Sequence, residues 1–329
     1  MSQKMGQVMK SPRKSPFFLS DPSIRLLLFG GKGGVGKTTA SAATALELAL
    51  RHPERSLLLV STDPAHSLQD SLAGAPLPPN LQVMELDAMV YLREFQVKNR
   101  QRLMEIASRG TFLDEEDINR FLELSLPGMD ELMAFLEISR WIKEGAYDLI
   151  IMDTAPTGHA LRLMEMPDTI RNWLAALDTL LAKQRYMKKL FRGSYDRDDL
   201  DHFVEGLAAS VREMELLLKD RKECRFVPVM LAETLSIEET LDLIRELHRL
   251  QIGVEDLVIN RLYPESSCLT CRNIRARQLE ELCRIFNDPG FSRLRLWGVP
   301  LYPEEIRGME SLRFFWKGLK EIKPVSGED

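Results

Sequence analysis

A chain of 329 residues with 44 Lys and Arg against 49 Asp and Glu carries a formal charge of −5, and 44% of it is hydrophobic. That balance argues against general nucleic-acid binding, which needs a basic face to neutralise phosphates; the length suits two ordinary domains or one large α/β unit with an insertion. Four cysteines are too few for a disulfide framework. No run reaches the roughly 18 apolar residues of a membrane span, so a cytoplasmic protein, peripheral to a membrane at most, is expected.

Residues 1–23 scatter Lys4, Lys10, Arg13 and Lys14 among Ser and Pro without the apolar core of a secretory signal, and read as a disordered tail. From residue 24 to 329 a single domain is expected. Short apolar runs predict strands at Leu26–Phe29, Leu57–Ser61, Gln82–Leu86, Leu149–Asp153, Phe226–Leu231 and Leu257–Asn260. Alternating with helical patterns, they give an α/β class with a doubly wound, mostly parallel sheet. Pro76, Pro78 and Pro79 interrupt the chain before the third strand. Residues 92–146 and 164–224 break the alternation and read as an inserted α-helical subdomain. Within the second stretch Ile170, Trp173, Leu174, Leu177, Leu180, Leu181 and Met187 mark one face of an amphipathic helix.

The strongest local signal is Gly30-Gly31-Lys32-Gly33-Gly34-Val35-Gly36-Lys37-Thr38-Thr39, directly after the first strand and before a helix expected over Ala40–Arg51. From Gly31 to Thr38 it fits the P-loop pattern in its strand–loop–helix context. Glycines let backbone N–H groups converge on phosphate oxygens, and the helix N-terminus adds its dipole. The expected ligands are ATP and Mg²⁺, with Lys37 reaching the β- and γ-phosphates and Thr38 giving its hydroxyl oxygen to the metal. Asp153, ending an apolar strand, is placed to hold Mg²⁺ through water. A glycine-rich turn without a ligand is the bland reading.

Lys32 makes the loop a deviant type, which resembles the P-loop ATPases that include nitrogenase iron protein, the Min and Par division ATPases and the arsenite-pump ATPases. Two strand-end segments, Ser61-Thr62-Asp63-Pro64-Ala65-His66-Ser67-Leu68-Gln69-Asp70 and Asp153-Thr154-Ala155-Pro156-Thr157-Gly158-His159-Ala160-Leu161-Arg162, resemble the switch segments of one branch. That branch is the arsenite-pump and tail-anchored-protein-targeting ATPase family. Leu126-Pro127-Gly128-Met129-Asp130-Glu131, Asn260-Arg261, Cys268 with Cys271, Pro300-Leu301 and Glu305-Ile306-Arg307-Gly308 follow the same family order, so the resemblance spans about residues 24–320. It implies that Asp63 polarises the attacking water, that Lys32 crosses a dimer interface to the partner's nucleotide, that Asn260 contacts the adenine, and that Glu233 lies near the nucleotide. Plain alternatives are a helix N-cap for Asp63, a solvated loop tip for Lys32 and a strand-end cap for Asn260. His66 and His159 are given switch-loop roles only.

Cys268-Leu269-Thr270-Cys271 offers two thiolates at zinc-ligand spacing where a structural site needs four, and two chains meeting at a twofold axis would supply them. This resembles the intermolecular Zn²⁺ clamp of the tail-anchored-targeting branch; a redox pair and incidental cysteines are the competing readings. One P-loop in the chain implies a homodimer. The resemblance implies a hydrophobic client helix and a membrane receptor as partners; the alternative is the catalytic subunit of an arsenite or antimonite efflux pump. A maturation or partitioning ATPase without a hydrophobic client is a third reading. Residues 84–187 contain no cysteine for a metalloid site. Of 15 methionines, Met84, Met89, Met104, Met129, Met133, Met152, Met164, Met166 and Met187 fall between the second and fifth strands. They suit a promiscuous apolar groove or ordinary core packing.

Overall fold

A computed structural model of the chain describes residues 15–62, 68–74, 76–110, 129–154 and 197–323, with helical residues 171, 174–175, 178–179, 181–182, 185–186 and 189–191 between. Eight strands, β1 (Leu26–Gly30), β2 (Leu57–Ser61), β3 (Leu81–Glu85), β4 (Leu149–Asp153), β5 (Cys224–Leu231), β6 (Asp256–Leu262), β7 (Arg295–Pro300) and β8 (Lys320–Ile322), form one sheet in the order β3-β2-β4-β1-β5-β6-β7-β8. Every pairing is parallel except β7 with β8. The runs LLLFG, LLLVS and LIIMD are buried throughout, as strands covered on both faces must be.

Alternation along β1 divides the core. Leu26 and Leu28 face one layer, built from α4 (Ala88–Gly110), α5 (Met129–Glu144), α6 (Asp199–Lys219), α7 (Thr234–Arg249) and α8 (Leu269–Asn287). Leu27 and Phe29 face the other, built from α1 (Phe17–Ser20), α2 (Lys37–Arg51), α3 (Leu68–Leu72) and α9 (Gly308–Phe315). The α/β doubly wound expectation therefore holds. All six expected strands are present, β3 lying one residue earlier than expected, while β7 and β8 are additional.

Ordered structure also begins before residue 24. Phe18 and Leu19 are buried, Phe18 packs edge-on to Phe29 with ring centroids 5.9 Å apart, and its backbone N–H donates to Asp256 at 3.2 Å. Burial raises the Asp256 carboxyl above its ordinary value, against the hydrogen bond from the Trp297 indole and the nearby Arg295 charge. Residues 1–14 lie outside those described.

Helices α4, α5 and α6 pack on one another over the sheet. Of the amphipathic face expected after residue 164, Leu174 and Leu181 are described and both are buried. Met133 and Met152 are core residues and Met84 packs against that core, whereas Met89 is half-exposed. Core packing accounts for Met84, Met133 and Met152 but not for Met89. Among the described residues no helix is long and apolar enough to cross a membrane.

Candidate functional site

The carboxyl ends of β1, β2 and β4 meet where an open α/β sheet binds its ligands. In register, Asp153 lies beside Phe29 on one side and Ser61 on the other. The Thr62 N–H donates to the Asp153 carbonyl at 3.1 Å, and the Thr154 N–H and hydroxyl both donate to the Phe29 carbonyl. These bonds fix the strand ends from which the loops depart.

Between β1 and α2 the chain must turn sharply, and two glycines permit it. Gly36, at φ 97°, is the residue before α2, and a Cβ there would stand 2.4 Å from the Asn260 Nδ2. At Gly31 a Cβ would stand 2.1 Å from the Val229 carbonyl oxygen. Gly33 is different: its φ is not positive and a Cβ would meet nothing within 4 Å. Neither packing nor backbone requires glycine there, so its open surface is free for a ligand to approach. Helix α2 starts at Lys37, three residues before the expected Ala40, and no side chain caps its N-terminus. Its first N–H groups therefore lie available to an anion. Helix α2 fits close to the sheet because Ala40, Ala42, Ala43, Ala45 and Ala49 are among its buried residues, and the buried Ser41 and Thr44 hydroxyls are satisfied by the carbonyls of Thr38 and Ala40.

Two P-loop side chains turn inward. Lys37, only 4% exposed, donates from Nζ to the Lys32 carbonyl at 3.3 Å. Thr38 donates its hydroxyl to Asp153 Oδ2 at 2.6 Å, and Asp153 is fully buried. A buried carboxylate beside a hydroxyl oxygen is a hard-oxygen donor pair of the kind Mg²⁺ prefers, so these residues fit the metal.

Lys32 points elsewhere. Its ammonium pairs with Glu239 of α7 at 3.0 Å, both side chains partly exposed. Sequence reasoning missed Glu239 because α7 is brought beside the P-loop only by the β1–β5 pairing. Asn260 donates from Nδ2 to the Val35 carbonyl at 2.9 Å and accepts the Arg261 N–H at 2.9 Å, tying the end of β6 to the loop. Arg261 follows in the left-handed region at φ 56°. Glu233 is exposed at the start of α7 and makes no side-chain cap there.

Beside the loop lies a cavity of about 590 Å³, lined by Thr39, Asn260, Arg261, Pro300, Tyr302 and Arg307 among others. It is large enough for a nucleoside. Arg307 closes its rim, donating from Nε to the Asp70 carbonyl at 2.8 Å and so joining the β7–α9 loop to α3. Thr39 lines the cavity, and Val35 accepts the Asn260 amide through its carbonyl. Asp63, His66 and His159 lie outside the described residues.

The cysteines are dispersed. Burial pushes the Cys224 thiol up to about 12, which keeps it protonated. Cys268 precedes α8 and Cys271 lies in its first turn. The Cys271 N–H, and then its thiol, hold the Cys268 thiol below its ordinary value, while the bond to Cys268 raises Cys271. Among the described residues no cluster of three or more His, Cys, Asp and Glu could hold a metal ion.

The family of anion-transporting ATPases, ArsA, matches residues 24–321. An ATPase ASNA1 homolog 2 of Paramecium tetraurelia is 32% identical over 328 residues, covering 93% of this chain and 97% of the relative. ATPase get3 of Schizosaccharomyces japonicus is 32% identical over 314 residues, covering 90% and 93%. ATPase GET3 of Komagataella phaffii is 32% identical over 326 residues, covering 93% and 92%.

Proposed function

The chain belongs to the ArsA ATPase family and is an ATP-hydrolysing P-loop enzyme, and on that premise we propose that it works as a homodimer whose ATP-driven closure serves to bind and target hydrophobic membrane-protein helices. The observation that carries the nucleotide part is the buried Thr38–Asp153 pair beside an uncapped helix N-terminus and a nucleoside-sized cavity. N–H groups of residues 31–38 take the phosphates, Lys37 reaches the β- and γ-phosphates, and the cavity at Asn260 takes the base. Thr38 and, through water, Asp153 hold Mg²⁺, whose charge offsets that developing on the transferred phosphoryl group. Asp63 orients the attacking water. Lys32 leaves Glu239 to reach the partner's nucleotide, which couples hydrolysis to dimer closure.

Similarity over nine-tenths of the chain to ATPases named GET3, together with one P-loop and no cysteine between residues 84 and 187, supports the targeting reading over metalloid transport. Zinc, held by Cys268 and Cys271 from each of two chains, belongs to the same reading. The test compares two arms on the purified protein: capture of a synthetic hydrophobic tail helix, and stimulation of ATP hydrolysis by arsenite or antimonite. Capture that depends on ATP, without metalloid stimulation, is expected. Metalloid stimulation without capture would overturn the targeting reading in favour of an anion pump.

A further inference from the structure

The pairing of β6 with β7 is interrupted where the cavity beside the P-loop begins. Ile259 stands opposite Gly298 and Leu262 opposite Pro300, so two residues, Asn260 and Arg261, oppose the single Val299. Such a bulge is uncommon between parallel strands, and it re-aims the side chains of the longer strand. Here Asn260 reaches the Val35 carbonyl, 2.9 Å away, and Arg261 lies in the left-handed region at φ 56°. A residue with a Cβ keeps that conformation only where its surroundings enforce it. Both residues line the cavity.

One side chain of α8 supplies the enforcement. Gln278, only 8% exposed, accepts the Tyr263 N–H through Oε1 at 2.8 Å and donates from Nε2 to the Arg261 carbonyl at 3.0 Å. Its amide thus satisfies the backbone on each side of Leu262, where the ladder is broken. Glutamine suits the place because one planar group carries both an acceptor and donors, whereas an ionised glutamate only accepts. Arg275, one turn earlier on α8, holds the outer end of the same segment. It donates to the Tyr263 carbonyl at 2.8 Å and pairs with Glu265 at 3.2 Å.

We propose that Gln278 is a positioning residue for the nucleotide base: by pinning the bulge it fixes where Asn260 and Arg261 stand along the cavity wall. The proposal rests on the reading that this cavity takes the base. Among the described residues that line the cavity Gln278 is absent, so it acts through the two that do. In the same reading the phosphates are taken by residues 31–38, on the far side of Asn260 from the bulge contacts. Loosening the bulge therefore weakens the hold on the base more than the hold on the phosphates. A Gln278 that merely packed the strand end would lower stability and leave the preference between ligands untouched.

The test is calorimetric titration of the full chain with ADP and with inorganic pyrophosphate, which offers the phosphates without a nucleoside. Gln278→Ala should weaken ADP about tenfold, the weight of one or two buried hydrogen bonds, and pyrophosphate less than about twofold. Gln278→Glu keeps the volume and the Tyr263 bond but loses the donor to Arg261, and should weaken ADP at least about threefold. It carries the test should the alanine variant not fold. Asn260→Ala, which removes the cavity-wall amide itself, should also lose ADP selectively, while Arg275→Ala should keep the preference of the parent chain. Selective loss in Asn260→Ala but in neither Gln278 variant would overturn the proposal and leave the base reading standing. No selective loss in Asn260→Ala would overturn that reading and the proposal with it. Equal loss of both ligands in the Gln278 variants, or as large a selective loss in Arg275→Ala, would also overturn it, because general packing of α8 would then set the base site.

Discussion

The loop between β1 and α2 and the layer formed by α4, α5 and α6 are held in opposite ways. The loop is fixed by buried, mostly neutral contacts at short range: Thr38 on Asp153, Asn260 on Val35, Gly31 under the Val229 carbonyl. The helical layer is laced by exposed ion pairs, Arg102–Asp199 at 2.8 Å and Lys143–Glu213 at 2.7 Å among them. Two clefts also open on it. One cavity of about 660 Å³ opens among Tyr91, Phe95, Met133, Leu136 and Leu207, and another of about 610 Å³ among Leu174, Val204, Ala208 and Val211. Exposed pairs contribute about 0–1 kcal/mol each, whereas buried hydrogen-bonded geometry is costly to disturb. The phosphate end is thus built to keep one shape. The helical end adds exchangeable surface pairs to a buried apolar seam that includes Ile106, Phe135, Ile138 and Val211.

Substitutions test that contrast, in falling order of effect. Lys37→Ala should lower ATP turnover about a thousandfold, and Asp63→Asn should do the same while still binding ATP; steady-state hydrolysis and nucleotide titration check both. Arg185→Ala should destabilise by about 3 kcal/mol, because it removes the cation beside the buried Asp201, while Asp178→Ala, at a carboxylate 54% exposed, should cost under about 1 kcal/mol. Denaturant unfolding would then separate one buried ion pair from the exposed pairs of the same layer. Gly36→Ala should cost about 2 kcal/mol through its positive φ and its collision with Asn260. Gly33→Ala should leave the melting temperature unchanged yet weaken nucleotide binding. A melting temperature that fell equally for both would remove the distinction between packing glycines and ligand-facing ones. Smallest is the coupling of Lys143 with Glu213, expected under about 0.5 kcal/mol in a double-mutant cycle and smaller still at high salt.

The same contrast decides what was legible beforehand. The P-loop could be read because its chemistry is contiguous in sequence, and β1, β2 and β4 because parallel strands buried on both faces are unbroken apolar runs. Strand β7, RLWGVP, carries Gly298 and Pro300, and β8 is a three-residue antiparallel edge, so neither offered a run to detect. Glu239 beside Lys32, Asn260 beneath Val35 and Arg307 on Asp70 are products of strand order, which no local pattern contains. The methionines left groove and core equally open because a flexible side chain fills an interior as readily as a groove, and it is strand and helix placement that puts Met152 and Met133 in the core. Phe17 and Phe18 were hidden by their Ser- and Pro-rich surroundings.

The placement of β1 has a consequence for how the molecule is made. Although β1 and its glycine loop are translated early, the partners of β1 in the sheet are β4 and β5, not the neighbouring β2. Thr38 has no Asp153 to bond until β4 exists, and Gly31 has no Val229 carbonyl above it until β5 exists. Such long-range closure is entropically late. A ribosome that has released only residue 223 therefore holds the complete phosphate motif without a phosphate site, and the nascent chain gains the shape for ATP only once β5, Asn260 and residues 300–307 have emerged.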